Sequence, residues 1–201
     1  RDHRKLGKDL NLFSFHPEGP GFVFWKPAGM VLYNEIVEFM RKKLTKAGYL
    51  EIKTPIILNK ELWRQSGHWN HYKENMYFTK IDNMQYAVKP MNCPGGLLVF
   101  NERQWSYKDL PVKIAELGLV HRHEKSGVLH GLFRVRMFTQ DDAHVFCMPK
   151  QAEEEIIKII QLLREIYATF GFTDFKVELS TRPEKSIGST KDWDTAETHL
   201  K

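Results

Sequence analysis

Apolar residues recur at helical spacing in two long segments of the chain. In residues 27–48 they fall three or four positions apart, with proline at the start and glycine at the end. Residues 149–170 show the same spacing. The pattern predicts a long amphipathic helix in each segment. Shorter helices are predicted over residues 1–10, 58–65, 94–104 and 193–201.

Short apolar runs bounded by turn residues predict strands. They cover residues 22–25, 49–54, 76–79, 85–88, 113–123, 133–146 and 175–179. Several strands follow one another without an intervening helix, which favours an antiparallel β-sheet flanked by helices over a doubly wound parallel sheet. The predicted fold class is therefore α+β. Neither G-x-G-x-x-G nor G-x-x-x-x-G-K-[ST] occurs, so the sequence does not indicate a dinucleotide fold or a P-loop.

Composition narrows the class of protein. A chain of 201 residues, 42% of them hydrophobic, can form one or two folded domains and is not a disordered segment. Charged residues interrupt the long apolar runs, so no membrane span is expected. The net charge of +5 permits nucleic acid or a polyphosphate as a partner. The chain starts in polar sequence without an initiator Met, and we expect it to be a piece of a longer protein.

Alternation along residues 133–146 separates two faces of a predicted strand. The odd positions, apolar apart from Asp141, are expected to face the core. The even positions are Arg134, Arg136, Phe138, Gln140, Asp142 and His144. Arginine binds phosphate oxygens through its fork and phenylalanine stacks on a nucleobase, so this face suits a flat, charged, polar ligand. A solvated polar face, or a bulge near Asp141, is the alternative.

Arg122 and Glu124 share one parity at the end of the preceding predicted strand. A hairpin from these residues to Arg134 would bring all three side chains to one surface. An ordinary ion pair between Arg122 and Glu124 is the alternative interpretation.

The two cysteines, Cys93 and Cys147, form no C-x-x-C pair, which predicts free thiols in a reducing cytoplasm. Cys93 precedes a predicted helix, where the dipole favours a thiolate suited to metal binding or reaction. Further along the chain, four histidines fall close together in sequence, namely His121, His123, His130 and His144. Spacing alone does not establish a zinc site and favours histidines that are hydrogen-bonded within the fold, with Cys93 as a buried small hydrophobic residue as the alternative to a metal ligand.

Several segments together carry a resemblance to a known family. Arg122-His123-Glu124, a loop and then residues 133–138 resemble motif 2 of class II aminoacyl-tRNA synthetases, and residues 27–55 resemble motif 1. The further segments, in order, are RDHRKLG at 1–7, SGHW at 66–69, KPMNCPG at 89–95, TQDDAH at 139–144 and STRPE at 180–184. Over nearly the whole chain, this series is similar to the catalytic core of the threonyl-tRNA synthetase family.

The resemblance implies a ligase that activates threonine with ATP and transfers it to the 3′ end of threonine tRNA. It implies that Arg122 is catalytic and contacts the α-phosphate, where it stabilises the transition state. Arg134 would hold the terminal phosphates together with Mg²⁺. Glu124 would accept from the adenine amino group, and Phe138 would stack under the ring.

The same resemblance assigns the amino-acid pocket. Asp142 would receive the threonine hydroxyl, Gln140 would orient the substrate, and Met91 would line the pocket. A zinc ion that holds the threonine amino and hydroxyl groups has two of its three protein ligands at Cys93 and His144. The third is a histidine further along the family's chain. His68 is the candidate that assists transfer to the ribose, and the loop 125–130 would reach the acceptor end of the tRNA.

The resemblance further implies that residues 1–201 are a catalytic domain that is incomplete at its C-terminus. Motif 3, an anticodon-binding domain and an editing domain are not expected in it. Motif 1 implies a homodimer of the full-length protein. Another class II synthetase, such as a prolyl or seryl enzyme, is an alternative against which Cys93, Asp142 and His144 argue. A non-catalytic paralogue that binds tRNA or a partner is the other alternative.

Overall fold

The computed structural model describes residues 2–184 and 186–200. The chain divides into two compact units. Among these residues, the first unit comprises 2–104 and 113–144, and the second comprises 105–112, 145–184 and 186–200. Every candidate site residue lies in the first unit, so its structure decides the chemistry.

Seven helices and eight strands are found in the described residues. The helices are α1 (His3–Asp9), α2 (Pro27–Lys46), α3 (Lys60–Gln65), α4 (His68–Tyr72), α5 (Cys93–Phe100), α6 (Ala152–Thr169) and α7 (Thr190–Leu200). The strands are β1 (Phe13–Ser14), β2 (Phe24–Trp25), β3 (Leu50–Glu51), β4 (Ile57–Asn59), β5 (Tyr77–Ile81), β6 (Met84–Val88), β7 (Val112–His121) and β8 (Met137–Phe146). The mixture confirms the α+β class.

The strands form three small sheets. β1 pairs with β2, and β6 lies between β4 and β5, all antiparallel. In the third sheet β7 lies between β3 and β8, and β3 runs parallel to β7. The sheets are therefore mostly antiparallel, as predicted, with a parallel addition that the sequence did not indicate.

Local sequence explains the best-predicted elements. Pro27 occupies the first turn of α2, where its missing N–H costs no helical hydrogen bond, and Gly48 adopts a φ of 85° just beyond its end. Asp82 and Asn83 have φ values of 49° and 63°, which match a two-residue turn with the right-handed twist of β5 and β6. These positions end or connect elements without help from distant residues.

Two apolar clusters stabilise the first unit. Phe13, Val23 and Val135 form one, and Trp63, Met76 and Ala87 form the other. Trp63 is completely buried, which anchors α3 against the sheet of β4, β5 and β6. This sheet carries the segment that leads into the candidate site.

The alternation predicted for residues 133–146 holds only in part. The strand begins at Met137, so Phe133 precedes it and is 79% exposed. The face of the odd positions meets α2 at Thr139, whose Oγ1 lies 2.6 Å from the hydroxyl of Tyr33. Further along, Asp141 and Ala143 are exposed. The prediction of a core-facing odd set is therefore wrong at Phe133 and Ala143, whereas Asp141 is the polar exception that the pattern already contains.

The second unit contains α6 and α7. Residues 172–180 form no strand, so the predicted strand over 175–179 is wrong. The ring of Phe175 instead packs edge-on against Tyr167 at 5.0 Å. Arg182 donates to two residues of α7, from its backbone N–H to Oε1 of Glu197 at 2.8 Å and from Nη1 to Oγ1 of Thr190 at 2.7 Å. Side-chain packing on helices therefore replaces strand pairing here.

Element boundaries also differ from the predictions. Residues 57–59 belong to β4, so the predicted helix over 58–65 begins only at residue 60. Among the described residues, no helix is long and apolar enough to cross a bilayer.

Candidate functional site

A turn at residues 89–92, the proline turn, lies at the centre of the candidate site and joins β6 to α5. Its first residue, Lys89, places Nζ 2.7 Å from Oε1 of Glu116, and both side chains are less than 5% exposed. The same Nζ donates to Oγ1 of Thr54 at 3.0 Å. A buried ion pair therefore fixes the turn to β7 and to the segment that follows β3.

Arg122 follows β7 and contacts the proline turn. Its Nε donates to the carbonyl oxygen of Pro90 at 3.1 Å. Its guanidinium carbon lies 5.1 Å from the ring centroid of Phe138 and 5.9 Å from that of Tyr72. These contacts hold a permanently charged, planar group in a fixed place, which suits recognition of a phosphate. Two predicted ATP residues, Arg122 and Phe138, are thus brought together.

Glu124 is paired with Arg134. The Nη2 atom of Arg134 lies 2.9 Å from Oε2 of Glu124, and the Glu124 side chain is only 13% exposed. The alternative of an ordinary pair between Arg122 and Glu124 is therefore not what the structure contains. The two further residues predicted to bind ATP, Glu124 and Arg134, lie next to each other.

Arg136 has a structural role that the alternation did not predict. Its side chain is buried and donates to the carbonyl oxygen of Glu124 from Nε at 2.9 Å and from Nη2 at 2.7 Å. Its Nη1 donates to the carbonyl oxygen of Pro20 at 2.9 Å. Nη2 also lies 3.3 Å from Oγ of Ser126, so the guanidinium of Arg136 holds the loop that follows Glu124 in place.

Cys93 is the first residue of α5. Burial raises the pKa of the thiol, and the nearby Asp142 carboxylate raises it further, while Arg122 acts in the opposite direction. The prediction of a favoured thiolate is therefore wrong for the metal-free side chain, because desolvation and a like charge outweigh the helix terminus. Asp142 accepts from Asn92, the residue before Cys93, and Arg122 donates to Pro90 of the same turn, so all three groups surround the proline turn.

His144 also lies beside the first turn of α5. Its Nδ1 is 3.9 Å from the position that a β-carbon on Gly96 would take. A thiolate and an imidazole are ligands that zinc prefers, so Cys93 and His144 fit such an ion chemically. Within residues 2–184 and 186–200, leaving aside the side chains of residues 70 and 71, no group of three His, Cys, Asp or Glu side chains could hold a metal ion. The described residues therefore offer a pair of donors.

His68, the first residue of α4, also contacts the proline turn. Its Nε2 lies 3.1 Å from Sδ of Met91, and its Nδ1 lies 2.8 Å from Oγ of Ser66. Burial lowers the pKa of the imidazole and so favours the neutral ring, while a hydrogen bond with Ser66 acts in the opposite direction. Two predicted site residues, His68 and Met91, are thus in contact.

Gln140 is half-buried in β8. It shares the parity of Phe138 and Asp142, and so occupies the same face of the strand. That face therefore bears an aromatic ring, an amide and a carboxylate at successive positions.

The loop 125–130 includes a short 3-10 turn at Ser126–Val128, and Val128 is 49% exposed. After the loop, the backbone N–H of Leu132 donates to Nε2 of His3 at 3.0 Å. One side of the loop is therefore fixed to α1, while its tip is open to solvent.

Three contacts of the site were not predicted. Tyr72 lies beside Arg122, Ser66 beside His68, and Asn92 beside Asp142. Asn92 stands inside the KPMNCPG segment, so its place in the motif was a usable signal. Tyr72 is 50 positions from Arg122, and nothing in local sequence could have paired the two.

The profile of one protein family matches more than half of this chain. It is described as tRNA synthetase class II core domain (G, H, P, S and T), and it matches residues 77–199. The chain belongs to this family.

Individual relatives of this class II synthetase core are similar over its full length. Threonine–tRNA ligases of Acetivibrio thermocellus and Finegoldia magna are 63% and 62% identical over 201 residues, 100% of this chain and 32% of each relative. A crystal structure described as the RNA binding domain of threonyl-tRNA synthetase from Cryptosporidium parvum has a TM-score of 0.92 at 43% identity. It covers 100% of this chain and 50% of that one. The chain spans about a third of the length of the curated relatives that it matches.

Proposed function

We propose that this class II synthetase core activates threonine with ATP and, within a longer protein, transfers the threonyl group to the 3′ end of threonine tRNA. One observation carries the proposal: the proline turn, α5 and β8 bring a thiol, a carboxylate and a guanidinium together at Cys93, Asp142 and Arg122. Similarity to threonine–tRNA ligases along the whole chain supports threonine as the substrate.

The ATP subsite comprises Arg122, Glu124, Arg134 and Phe138. Arg122 would contact the α-phosphate and stabilise the charge that builds up as the threonine carboxylate attacks it. Pyrophosphate is the leaving group, and Arg134 with Mg²⁺ would hold its oxygens. Glu124 would accept from the adenine amino group. In the structure Arg134 and Glu124 form an ion pair at 2.9 Å. ATP binding would break this pair, because Arg134 would then contact the terminal phosphates and Glu124 the adenine amino group.

The threonine subsite comprises Met91, Gln140 and Asp142, with Cys93 and His144 as holders of a zinc ion. When bound, zinc would supply a Lewis acid for the amino and hydroxyl groups. Asp142 would accept the hydroxyl proton in a hydrogen bond, while Gln140 would orient the substrate. Valine is nearly isosteric with threonine, and a hydrophobic pocket separates such pairs by only about 10²-fold. A carboxylate aimed at the hydroxyl supplies discrimination that shape alone cannot.

Transfer to tRNA would use His68 and the loop 125–130. The neutral imidazole of His68 touches the Met91 side chain and can accept the proton of the attacking ribose hydroxyl. The open tip of the loop is suited to contact the acceptor end. The Cryptosporidium relative is described as an RNA binding domain, which is in line with this role.

The longer protein is proposed to be a cytoplasmic homodimer. Helix α2 and residues 50–57 after it expose large apolar side chains, which a second subunit could bury. They are Val31, Leu32, Ile36, Leu50, Ile56 and Ile57, each at least 40% exposed. Val31, Leu32, Ile36 and Leu50 lie within residues 27–55, which resemble motif 1, and Ile56 and Ile57 follow directly after that segment.

Threonine-dependent exchange of pyrophosphate into ATP tests the proposal in the full-length protein. We expect exchange with threonine, none with valine, and a residual rate with serine, which keeps the hydroxyl. Exchange that depends on another amino acid would show that threonine is not the substrate. ATP binding without exchange for any amino acid would support the non-catalytic paralogue.

Asp142→Ala is expected to lower kcat/KM for threonine by about 10- to 100-fold, because a hydrogen bond from substrate to a charged group is lost. The KM for ATP should change by less than about twofold, since the ATP subsite is intact. Asp141→Ala is the matched control, because the adjacent Asp141 is exposed. Equal losses for threonine and ATP would contradict the assigned role.

Cys93→Ser is expected to lower the zinc content of the purified full-length protein, because a hydroxyl is a far weaker zinc ligand than a thiolate. Metal analysis by mass spectrometry measures the stoichiometry. Cys147→Ser, in the second unit, should leave it unchanged. If both variants retain the same zinc as the unmodified protein, Cys93 is not a ligand.

A further inference from the structure

Asn92 occupies the N-cap of α5 without acting as a cap. An asparagine at this position normally turns its side-chain oxygen back onto a backbone N–H of the first turn. Here no side-chain cap hydrogen bond forms, and Pro94, in the first turn, has no N–H to offer. The side chain is only 2% exposed, so it is also not solvated. Its orientation therefore serves a contact other than the helix.

That contact is with Asp142. Nδ2 of Asn92 donates to Oδ2 of Asp142 at 3.4 Å. The other carboxylate oxygen, Oδ1, accepts from the backbone N–H of Ala143 at 3.0 Å. Both oxygens thus have a donor that limits rotation of the carboxylate. No hydrogen-bond partner within the described residues reaches Oδ1 of Asn92, so the side chain gives up one buried hydrogen bond to keep this position.

Gly118 provides the space for this arrangement. A β-carbon on Gly118 would lie 2.1 Å from Oδ1 and 2.6 Å from Nδ2 of Asn92. Any larger residue on this part of β7 would therefore push the amide away from Asp142. The position of the Asn92 side chain therefore depends on both α5, which it precedes, and Gly118 of β7, which leaves room for it.

We propose that Asn92 is a positioning residue that orients Asp142 toward the threonine hydroxyl, with Gly118 as the residue that makes room for it. The inference rests on the proposed function, because it assigns no new substrate. Asn92 directly precedes Cys93, so one stretch of backbone sets both the thiol and the donor to the carboxylate. The Asn92 amide therefore fixes the distance between the Asp142 carboxylate and the first turn of α5.

The first test compares Asn92→Ala with the unmodified full-length enzyme. We expect KM for threonine to rise by about tenfold, with kcat and the KM for ATP changed by less than about twofold. Zinc content should stay constant. Asn101→Ala, at the exposed end of the same helix, is the matched control. An equal rise in both KM values, a loss of zinc, or no change in the threonine KM would overturn the proposal.

The second test is a double-mutant cycle with Gly118→Ala. Alone, this change should raise the threonine KM, because its methyl group displaces the amide. In the Asn92→Ala background it should add less than about twofold, since the amide is gone. If Gly118→Ala fails to fold, the double variant should fold, because the clash is removed. Additive effects, or a double variant that also fails to fold, would contradict the fit between the two residues.

The unmodified enzyme separates this inference from the proposed function. If it shows no threonine-dependent exchange, the proposed function and the inference both fall. If it does, and Asn92→Ala retains its threonine KM, only the inference fails.

Discussion

Arg122→Ala in the full-length protein is expected to slow formation of threonyl-adenylate by about 10²- to 10³-fold, the usual effect of removing one transition-state donor. The reason is geometric. Its Nε is held by the Pro90 carbonyl oxygen at 3.1 Å and its guanidinium lies 5.1 Å from the Phe138 ring centroid. The charge is therefore in place before the pentavalent phosphorus forms and needs no reorganisation.

Single-turnover formation of the adenylate under saturating ATP measures this effect separately from binding. Arg64→Ala is the matched control, because this guanidinium is on an exposed turn of α3. Arg122→Lys should recover only part of the rate, since an ammonium lacks the planar fork. A decrease below about tenfold, or about 1.4 kcal/mol, would exclude a direct transition-state contact.

Local signals were sufficient for the helices and the hairpin. α2 carries its own start and stop residues, and Asp82 and Asn83 have the backbone freedom that the turn demands. The motif segments also named residues that the structure brings together, because Arg122 lies by Phe138, Glu124 by Arg134, and Asp142 by the residue before Cys93. Short-range pattern and motif order thus carried much of the fold and of the candidate site.

Long-range packing decided what the sequence could not. The parallel pairing of β3 with β7 depends on residues 64 positions apart, as in Leu50 and Ile114. Whether an arginine faces a ligand or the backbone depends on which carbonyl groups are nearby, and for Arg136 three backbone contacts decide it. The position of Cys93 at a helix N-terminus suggests a lowered pKa, but burial and the Asp142 carboxylate raise the pKa of the thiol. Both effects depend on the folded chain and not on local sequence.

The buried group of Thr54, Lys89 and Glu116 connects two parts of the molecule that local patterns describe separately. Oε1 of Glu116 accepts from the backbone N–H of Thr54 at 2.9 Å and from Nζ of Lys89 at 2.7 Å. Thr54 belongs to the segment that resembles motif 1, and Lys89 begins the proline turn. The carboxylate in β7 therefore joins that segment to the turn that anchors Arg122 through Pro90.

Lys89→Met in the full-length protein is expected to lower the free energy of unfolding by about 3–5 kcal/mol, because it leaves the Glu116 carboxylate buried without its cation. Equilibrium unfolding in urea measures the loss. Lys89→Met combined with Glu116→Leu should recover most of it, since apolar side chains of similar volume often replace a buried pair without net cost. Lys80→Met, an exposed lysine on β5, controls for the loss of one positive charge. A double variant as unstable as Lys89→Met would mean that the hydrogen bonds to Thr54, and not the ion pair, hold the proline turn in place.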